Sequence, residues 1–506
     1  MIRAYAVSSV REAEAAAMAG LGDTGLDEGV LMSRAASALA AVASARLGSP
    51  GGRRVVALVG AGNNGGDALY AVALLAREGA AAVVITVAES VHEGGLLAAG
   101  DAGAVVLNTV GAHADPPSEI SAALGRAELV LDGIVGIGGR PGLSPEIDEL
   151  LRDVSDTAYV LAVDLPSGTD PNGEVAAQSC VFADETVTFI APKPVHLLPA
   201  TEPAVGRLTV VDIGVEIDAP PVVERVTHDD IARLWPSPGP GDDKYSRGVL
   251  GVVAGGENYT GAAVLAVTAA VCSGAGMVRY VGPSAPTLLV RSQVPEAVIG
   301  SGKVQAWLLG PGVDVADDSD EGIVQRAAAQ GALDSGLPCV VDAGCLDLIV
   351  EPRSTPTLLT PHAGELARML SRLGGSVERA AVVSAPVAFA RSLADLTNST
   401  VLLKGATTLV VSPTASGLAV RSQADAPSWL ATAGSGDVLA GLAGTLLAAG
   451  LSPVDSGSVG ALVHGLAGDA ANPGGPVRAL AVAHAIPGVV AGLLARELPH
   501  PERLLR

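Results

Sequence analysis

The sequence predicts a chain of two α/β domains, each organised on a largely parallel sheet. Short β-branched runs alternate with longer Ala/Leu-rich stretches from residue 53 onward, which is the spacing of βαβ units. The alternation stops between 217 and 245, where prolines cluster around one short helix that Thr227 is placed to cap, and then it starts again. At 506 residues and 49% hydrophobic, the chain has material for two buried cores, and the expected domains are 1–224 and 225–506.

In the first half, "RRVVALVG" reads as a strand, "DALYAVALLAREG" as an amphipathic helix and "AAVVITVAE" as the next strand. Two further apolar runs, "AELVLDGIVG" and "TAYVLAVDLPSG", each end in a polar loop that carries an aspartate. Ligands of open α/β sheets sit outside the carboxyl ends of the strands, so Asp132 and Asp164 stand where chemistry is expected. In the second half the runs are "VLGVVAGG", a helix over 260–275, "MVRYVG", "AWLLGPG", "PCVVDAG", "TPTLLTPHAGE", "TVLLKGA" and "TLVVSP", followed by a long helix after "TAGSGD". No short tandem repeat occurs, and two unlike halves suggest two fused activities.

Composition narrows the function. With 53 acidic against 31 basic residues the formal net charge is -22, the wrong field for a nucleic-acid binder, so any phosphate is expected to be held locally. Cys180, Cys272, Cys339 and Cys345 follow no C-x-x-C spacing, which argues for free thiols in a reducing, cytoplasmic setting and against a zinc site. The first twenty residues bring charge into their first turns and lack a continuous apolar stretch, unlike a secretory signal. The longest apolar stretches, around 262–278 and 479–495, are interrupted by Gly, His or Pro and fall short of a membrane span, so no membrane partner is expected.

The stretch "VGAGNNGGDALYAVALLAREG" (59–79) carries G-x-G-x-x-G at Gly60, Gly62 and Gly65. With Glu89 roughly placed for a ribose contact, a dinucleotide-dependent dehydrogenase fits the spacing. Such a turn, however, does not call for Asn63, Asn64 and Asp67. One asparagine would simply shape a tight turn; Asn-Asn-Gly-Gly-Asp beside two strand-end aspartates points to a polar ligand. Through "GAGNNGGD" (60–67), "LDGIVGIGGRPG" (131–142), "VDLPSGTDPNGE" (163–174) and, more weakly, "ADETVTFIAPKP" (183–194), this half resembles the NAD(P)H-hydrate epimerase family, the YjeF N-terminal type. The resemblance covers most of 1–217 and implies a Rossmann-like domain.

It also implies that Asn63, Asn64, Gly65, Gly66 and Asp67, with Gly136, Ile137, Gly138, Gly139, Arg140, Pro141, Gly142 and Asp164, contact a hydrated nicotinamide nucleotide. By the same resemblance, Asn64, Asp132 and Ser167 hold a potassium ion; a hard cation suits such oxygen donors. The glycines of 136–142 let backbone N–H groups approach a phosphate. Asp164 is the candidate acid–base group for inverting the hydroxyl-bearing ring carbon. Lys193 stands second, with a solvated loop lysine as the equal alternative. The family commonly has glycine where this chain has Ala68, which bears on the tightness of the turn.

In the second half, "TAGSGDVLAGLAGTLLAAG" (432–450) sets Gly434, Ser435, Gly436 and Asp437 at a helix start, where backbone N–H groups bind anions and an aspartate can take a proton from an attacking hydroxyl. No Walker A lysine motif occurs, and a Gly-Ser-Gly-Asp alone is most often a plain cap. With "VVAGGENYTGAAVLAVTAAVCSGAGMVR" (252–279), "LGPGVD" (309–314), "VVDAGCLDL" (340–348), "LTPHAGE" (359–365) and "LLKGATT" (402–408), this half resembles the nucleotide-dependent NAD(P)H-hydrate dehydratase family, a branch of the ribokinase-like fold.

The resemblance implies that Ala262, Gly312 and His362 line the hydrate pocket, that Lys404, Gly405, Ala406, Thr407, Thr408 and Gly436 hold an adenine nucleotide, and that Asp437 sits at the reacting hydroxyl. Asp342 and Glu365 would help to hold magnesium. ADP is the expected phosphoryl donor, and the partners are the hydrates of NADH and NADPH, adenine nucleotide and further copies of the chain. A ribokinase-like small-molecule kinase fused to a non-catalytic nucleotide-binding domain is the alternative. "DDKYSRGVLG" departs from the family's His-Lys pair and bears on the nucleotide-side lid.

Overall fold

The strands sort into two sheets. The computed structural model describes residues 1–20, 28–110 and 117–495, and the chain divides into Arg3–Val223 and a second unit of Glu224–Arg506 with Met1–Ile2.

In Arg3–Val223 the strand order is Val105–Asn108, Ala81–Thr86, Arg54–Val59, Leu129–Gly133, Tyr159–Val163, Glu185–Phe189, Arg207–Val211, and every neighbouring pair is parallel. Parallel strands covered on both faces read as continuous apolar runs, as "VVALV" does. Val55, Ala57 and Val59 face a layer with Leu39, Leu69 and Val72 from the helices Glu28–Leu47 and Asn63–Arg77, while Val56 and Leu58 face Ile120 and Leu124. Gly29–Leu47 is long and apolar enough to cross a membrane. Its Ala36, Leu39 and Ala43 are nonetheless core residues, and its Arg34 and Arg46 are bound within the unit, to the Ile213 carbonyl at 2.7 Å and to Glu185 at 2.6 Å.

Close packing explains two of the motif residues. A Cβ on Gly65 would stand 2.3 Å from the Gly60 carbonyl oxygen, so glycine is what lets the Asn63–Arg77 helix start against its strand. Ala68 is fully buried, and its methyl stands 2.5 Å from where a Gly133 Cβ would be. The neighbouring strand thus absorbs the extra methyl, and the turn stays tight.

In the second unit nine of the sheet's eleven strands run in the order Val420–Gln423, Thr408–Val411, Thr400–Leu403, Thr357–Leu359, Cys339–Val341, Ala306–Leu309, Val249–Val253, Met277–Val281, Val298–Ile299. The pairs from Thr400–Leu403 to Val298–Ile299 are parallel; Thr408–Val411 and Val420–Gln423 are added antiparallel. The helix expected over 260–275 is Thr260–Cys272, ended by the turn at Gly274 (φ +87°). It meets the Ser435–Ala448 helix at Gly441, where a Cβ would come within 2.3 Å of the Ala266 carbonyl oxygen. Thr227 opens the turn His228–Asp230 ahead of the helix Ile231–Leu234, its N–H and hydroxyl both donating to Asp230 at 2.9 and 2.7 Å. All four cysteines are free.

Gly65→Ala is expected to destabilise the first unit by about 1–3 kcal/mol, the usual cost of overpacking. Denaturant unfolding followed by limited proteolysis of that unit measures it, and unchanged stability would remove the close-packing explanation.

Candidate active sites

The carboxyl ends of Arg54–Val59, Leu129–Gly133 and Tyr159–Val163 open onto a cavity of about 630 Å³. Asn63, Asn64, Asp67, Gly136, Ile137, Gly138, Gly139 and Asp164 line it. Gly65 and Gly66 do not: both are buried in packing, Gly66 against Met32 and His92. Arg140, Pro141 and Gly142 are exposed and lie outside the lining, as does the exposed Glu89.

Asp164 follows its strand with φ +65°, a left-handed conformation unusual for a residue with a side chain. Its Oδ1 accepts from Lys193 Nζ at 2.5 Å and from the Thr188 hydroxyl at 2.9 Å. Lys193 is 2% exposed and is absent from the cavity lining, which overturns the solvated-lysine alternative. Its remaining Nζ contacts go to Thr188 Oγ1 (2.8 Å) and the Phe189 carbonyl (3.0 Å), so its three protons are committed. Lys193 positions Asp164 and holds its charge. Burial raises the Asp164 carboxyl, but Lys193, helped by the Thr188 hydroxyl, outweighs burial and holds it below its ordinary 3.8. His196 completes the cluster: Nδ1 accepts the Lys193 N–H (2.9 Å), leaving Nε2 to donate to the Asp164 carbonyl (2.8 Å). Burial, with Lys193 beside it, pushes His196 down to about 4, so it is a neutral spacer.

Asp132 and Ser167 come together beneath the cavity, both fully buried. Asp132 accepts from Ser167 Oγ (2.6 Å), Ser167 N (2.8 Å) and Ile134 N (3.3 Å). These bonds lower its pKa, but burial dominates and the carboxyl sits at about 6. Asn64 Nδ2 is buried without a hydrogen-bond partner, and the Asn64 amide lies 3.1 Å from where a Gly136 Cβ would stand.

In the second unit the strand ends again carry the polar residues. Asp342 follows Cys339–Val341, Thr360 follows Thr357–Leu359 and Lys404 follows Thr400–Leu403. Lys404 Nζ donates to Asp342 Oδ1 at 2.8 Å and lies 3.7 Å from Glu365 Oε2; the Thr360 hydroxyl also donates to Asp342 Oδ1 (2.8 Å). His362 caps the Ala363–Arg372 helix, its Nδ1 accepting from Gly364 N and Glu365 N while Glu365 Oε2 accepts from His362 N. Its ring is 59% exposed, so this histidine is not a core residue.

Gly434 (φ +86°) turns the chain into Ser435–Ala448, with Asp437 in the first turn. Burial, then the neighbouring Asp342, raise Asp437 to about 7 against the pull of Lys404. Gly436 leaves room for Lys404, whose Nζ stands 3.5 Å from where its Cβ would be. Gly405 and Ala406 are exposed, Thr407 and Thr408 half-buried. Ala262 and Gly312 touch: a Cβ on Gly312 would stand 2.6 Å from that of Ala262.

Comparison with known proteins gives two family matches, "YjeF-related protein N-terminus" over 28–195 and "NAD(P)H-hydrate dehydratase" over 250–486. The bifunctional NAD(P)H-hydrate repair enzyme of Mycobacterium leprae (strain TN) is 40% identical over 491 residues, covering 93% of this chain and 94% of that protein. The chain belongs to the bifunctional NAD(P)H-hydrate repair enzyme family. The family's member in Mycobacterium tuberculosis (strain CDC 1551 / Oshkosh) is 41% identical over 465 residues, 88% of this chain and 89% of that one. Among solved structures, the ADP/ATP-dependent NAD(P)H-hydrate dehydratase of Bacillus subtilis, co-crystallised with ATP and magnesium, matches with 22% identity and a TM-score of 0.47 over 54% of this chain and 99% of that one. For this repair enzyme family member, the dehydrogenase and small-molecule kinase readings give way.

Several polar residues at these sites were not legible beforehand. Thr188 stands one residue before the end of its strand and His196 three residues after Lys193, and that nearness to strand end and lysine is the available signal. Thr360 lies inside "LTPHAGE", where nothing in the sequence marks its bond to Asp342. His464, buried on the helix Pro453–Ala471, meets the Ser435 hydroxyl at 3.3 Å and gave no local signal.

Lys193→Met leaves Asp164 buried without its cation, and breaking such a pair is expected to cost about 3–5 kcal/mol of unit stability. Because Asp164 is held below 3.8, the pair's contribution is present above that pH and is lost as pH falls through the lowered pKa. Unfolding of wild type and variant at pH 7 and pH 3 measures both. A gap that does not narrow at the lower pH would contradict the assignment.

Proposed function

We propose that the chain repairs hydrated NADH and NADPH in two steps, one in each unit. Membership of the bifunctional repair family carries the overall activity. The presence in each unit of a strand-end carboxylate cluster beside a cavity or helix N-terminus supports the division of labour. In Arg3–Val223 the hydrate would bind among Asn63, Asn64, Asp67 and the 136–139 loop, whose backbone N–H groups suit a pyrophosphate. Arg140, Pro141 and Gly142 would then act on the loop's conformation. Asp164, kept ionised by Lys193, is the acid–base group that exchanges the R and S hydroxyl.

Potassium fits Asn64, Asp132 and Ser167. A buried carboxylate that meets a hydroxyl and two backbone N–H groups, and no ammonium or guanidinium group among the described residues, suits a weakly charged hard cation. The unpartnered Asn64 amide, turned over, adds its oxygen. Bound there, potassium would hold the 132–136 loop in place under the substrate.

In the second unit Asp437 takes the proton from the ring hydroxyl of the S hydrate as that oxygen attacks the β-phosphoryl group of ADP, and AMP leaves. Hydroxide leaves a carbon poorly and phosphate leaves it well. Expelled by the ring nitrogen's electrons, phosphate departs, and loss of a proton from the neighbouring carbon restores the double bond. Lys404, Gly405, Ala406, Thr407, Thr408 and Gly436 would hold the nucleotide, and Ala262, Gly312 and His362 the hydrate. Asp342, Glu365 and Asp437 outnumber the one lysine among them, and this excess of carboxylate oxygen suits magnesium carried in with the phosphates.

Since Asp437 must be ionised to accept a proton and its pKa is about 7, kcat/KM for dehydration is expected to fall about tenfold per pH unit below pH 7 and to level off above it. Asp437→Ala should lower ADP-dependent repair by about 10²–10⁴-fold and leave epimer exchange untouched. Rates of NADH recovery from the S hydrate with ADP, ATP or no nucleotide measure this. Undiminished repair by Asp437→Ala would remove the residue from the mechanism.

A further inference from the structure

One wall of the first unit's cavity comes from a helix that neither glycine motif includes. Val7–Gly20 presents Arg11, Glu14 and Met18 to the cavity, at a spacing that puts them on one helix face. Arg11 ties this helix to the glycine loop, donating to the Ile137 carbonyl at 2.9 Å. All three residues precede 28, where the family match begins. The cavity is therefore shared by three carboxyl groups, Glu14, Asp67 and Asp164.

We propose that Glu14 is the second acid–base residue of hydrate epimerisation, working on the ring face opposite to Asp164. The proposal rests on the epimerase reading of this cavity. Inversion needs a proton delivered where hydroxyl leaves and a proton removed where water returns. Protonated Glu14 gives its proton to the ring hydroxyl. The C–O bond breaks with its electron pair leaving in water, and the ring nitrogen's lone pair forms a C=N⁺ bond. Water attacks that carbon from the other face, the π pair returns to nitrogen, and Asp164 takes the released proton. Glu14 is then ionised and Asp164 protonated, the state from which the reverse inversion starts; exchange with solvent resets both.

The charged groups facing Glu14 fit this role. Burial raises its carboxyl, Lys193 and Arg11 oppose the rise, and Asp164 adds to it. Burial, then Asp164 and Glu14, raise the Asp67 carboxyl above its ordinary 3.8. Among the three, Asp164 is the one with a lysine held against it, and Glu14 is the one carried by the helix that Arg11 ties to the glycine loop.

The test uses the full chain and R-enriched hydrate without nucleotide, so that only exchange runs, with R to S conversion followed by chromatography above the uncatalysed rate. Glu14→Gln is expected to slow exchange by about 100-fold or more, with Glu14→Asp recovering part of the rate and the alkaline limb of the pH–rate profile, where the proton donor is lost, altered. Exchange within about threefold of wild type in Glu14→Gln would overturn the proposal. So would a loss that Glu14→Asp shares in full together with a lowered unfolding midpoint. Asp164→Ala separates the failures. Exchange lost there but kept in Glu14→Gln sinks the role of Glu14 alone; exchange kept in both sinks the epimerase reading of the cavity.

Discussion

A carboxylate buried at the end of a parallel strand is costly to leave unpaired, and each unit holds a lysine against one such carboxylate. Asp164 has Lys193, 29 residues on, and Asp342 has Lys404, 62 residues on. In each case the lysine arrives from the end of a nearby parallel strand, so the sheet's register brings together charges that lie far apart in the chain. Asp132 is the contrast. It has hydroxyl and amide donors but no lysine, and its carboxyl is left at about 6. In the proposed reaction that difference is what would separate the acid–base group from the cradle for a metal cation.

The same chemistry gives the two proposed bases different working ranges. Asp164, with Lys193 against it, is ionised at any physiological pH. Asp437, raised by its burial and by Asp342 against the pull of Lys404, titrates near 7. A base close to neutrality is matched to taking a proton from a hydroxyl and later releasing it. Magnesium brought with the phosphates would add positive charge to this cluster and draw the carboxyl down, tying proton acceptance to nucleotide arrival.

Much of the fold was legible because parallel strands write themselves as apolar runs and helix starts as glycine turns. Every strand read before the structure is present, and the strand-end positions of Asp132, Asp164 and Asp437's helix follow from them. Strands with polar faces were not: "VRSQ" at 420–423 is a short antiparallel addition with no periodic signal. The site was legible in its motif residues but not in their work. Gly65 was read as a ligand contact, whereas packing against Gly60 explains it. Lys193 was left between two roles because its burial depends on Thr188, Phe189 and His196 folding around it, which no local pattern encodes. Glu14 lies on an Ala-rich helix whose facing partner is distant in sequence.

The central claim is that the two carboxylates serve two separable reactions on one substrate. A mixture of the Asp164→Ala and Asp437→Ala proteins, given both hydrate epimers with ADP, tests it most directly through the near-UV absorbance of restored nicotinamide. The account has Asp164→Ala alone stopping at the S fraction, Asp437→Ala alone restoring nothing, and the mixture restoring both epimers faster than uncatalysed exchange allows. A mixture that stops where Asp164→Ala alone stops would mean that Asp164 and Asp437 must act in the same molecule, and the division into two reactions would be wrong.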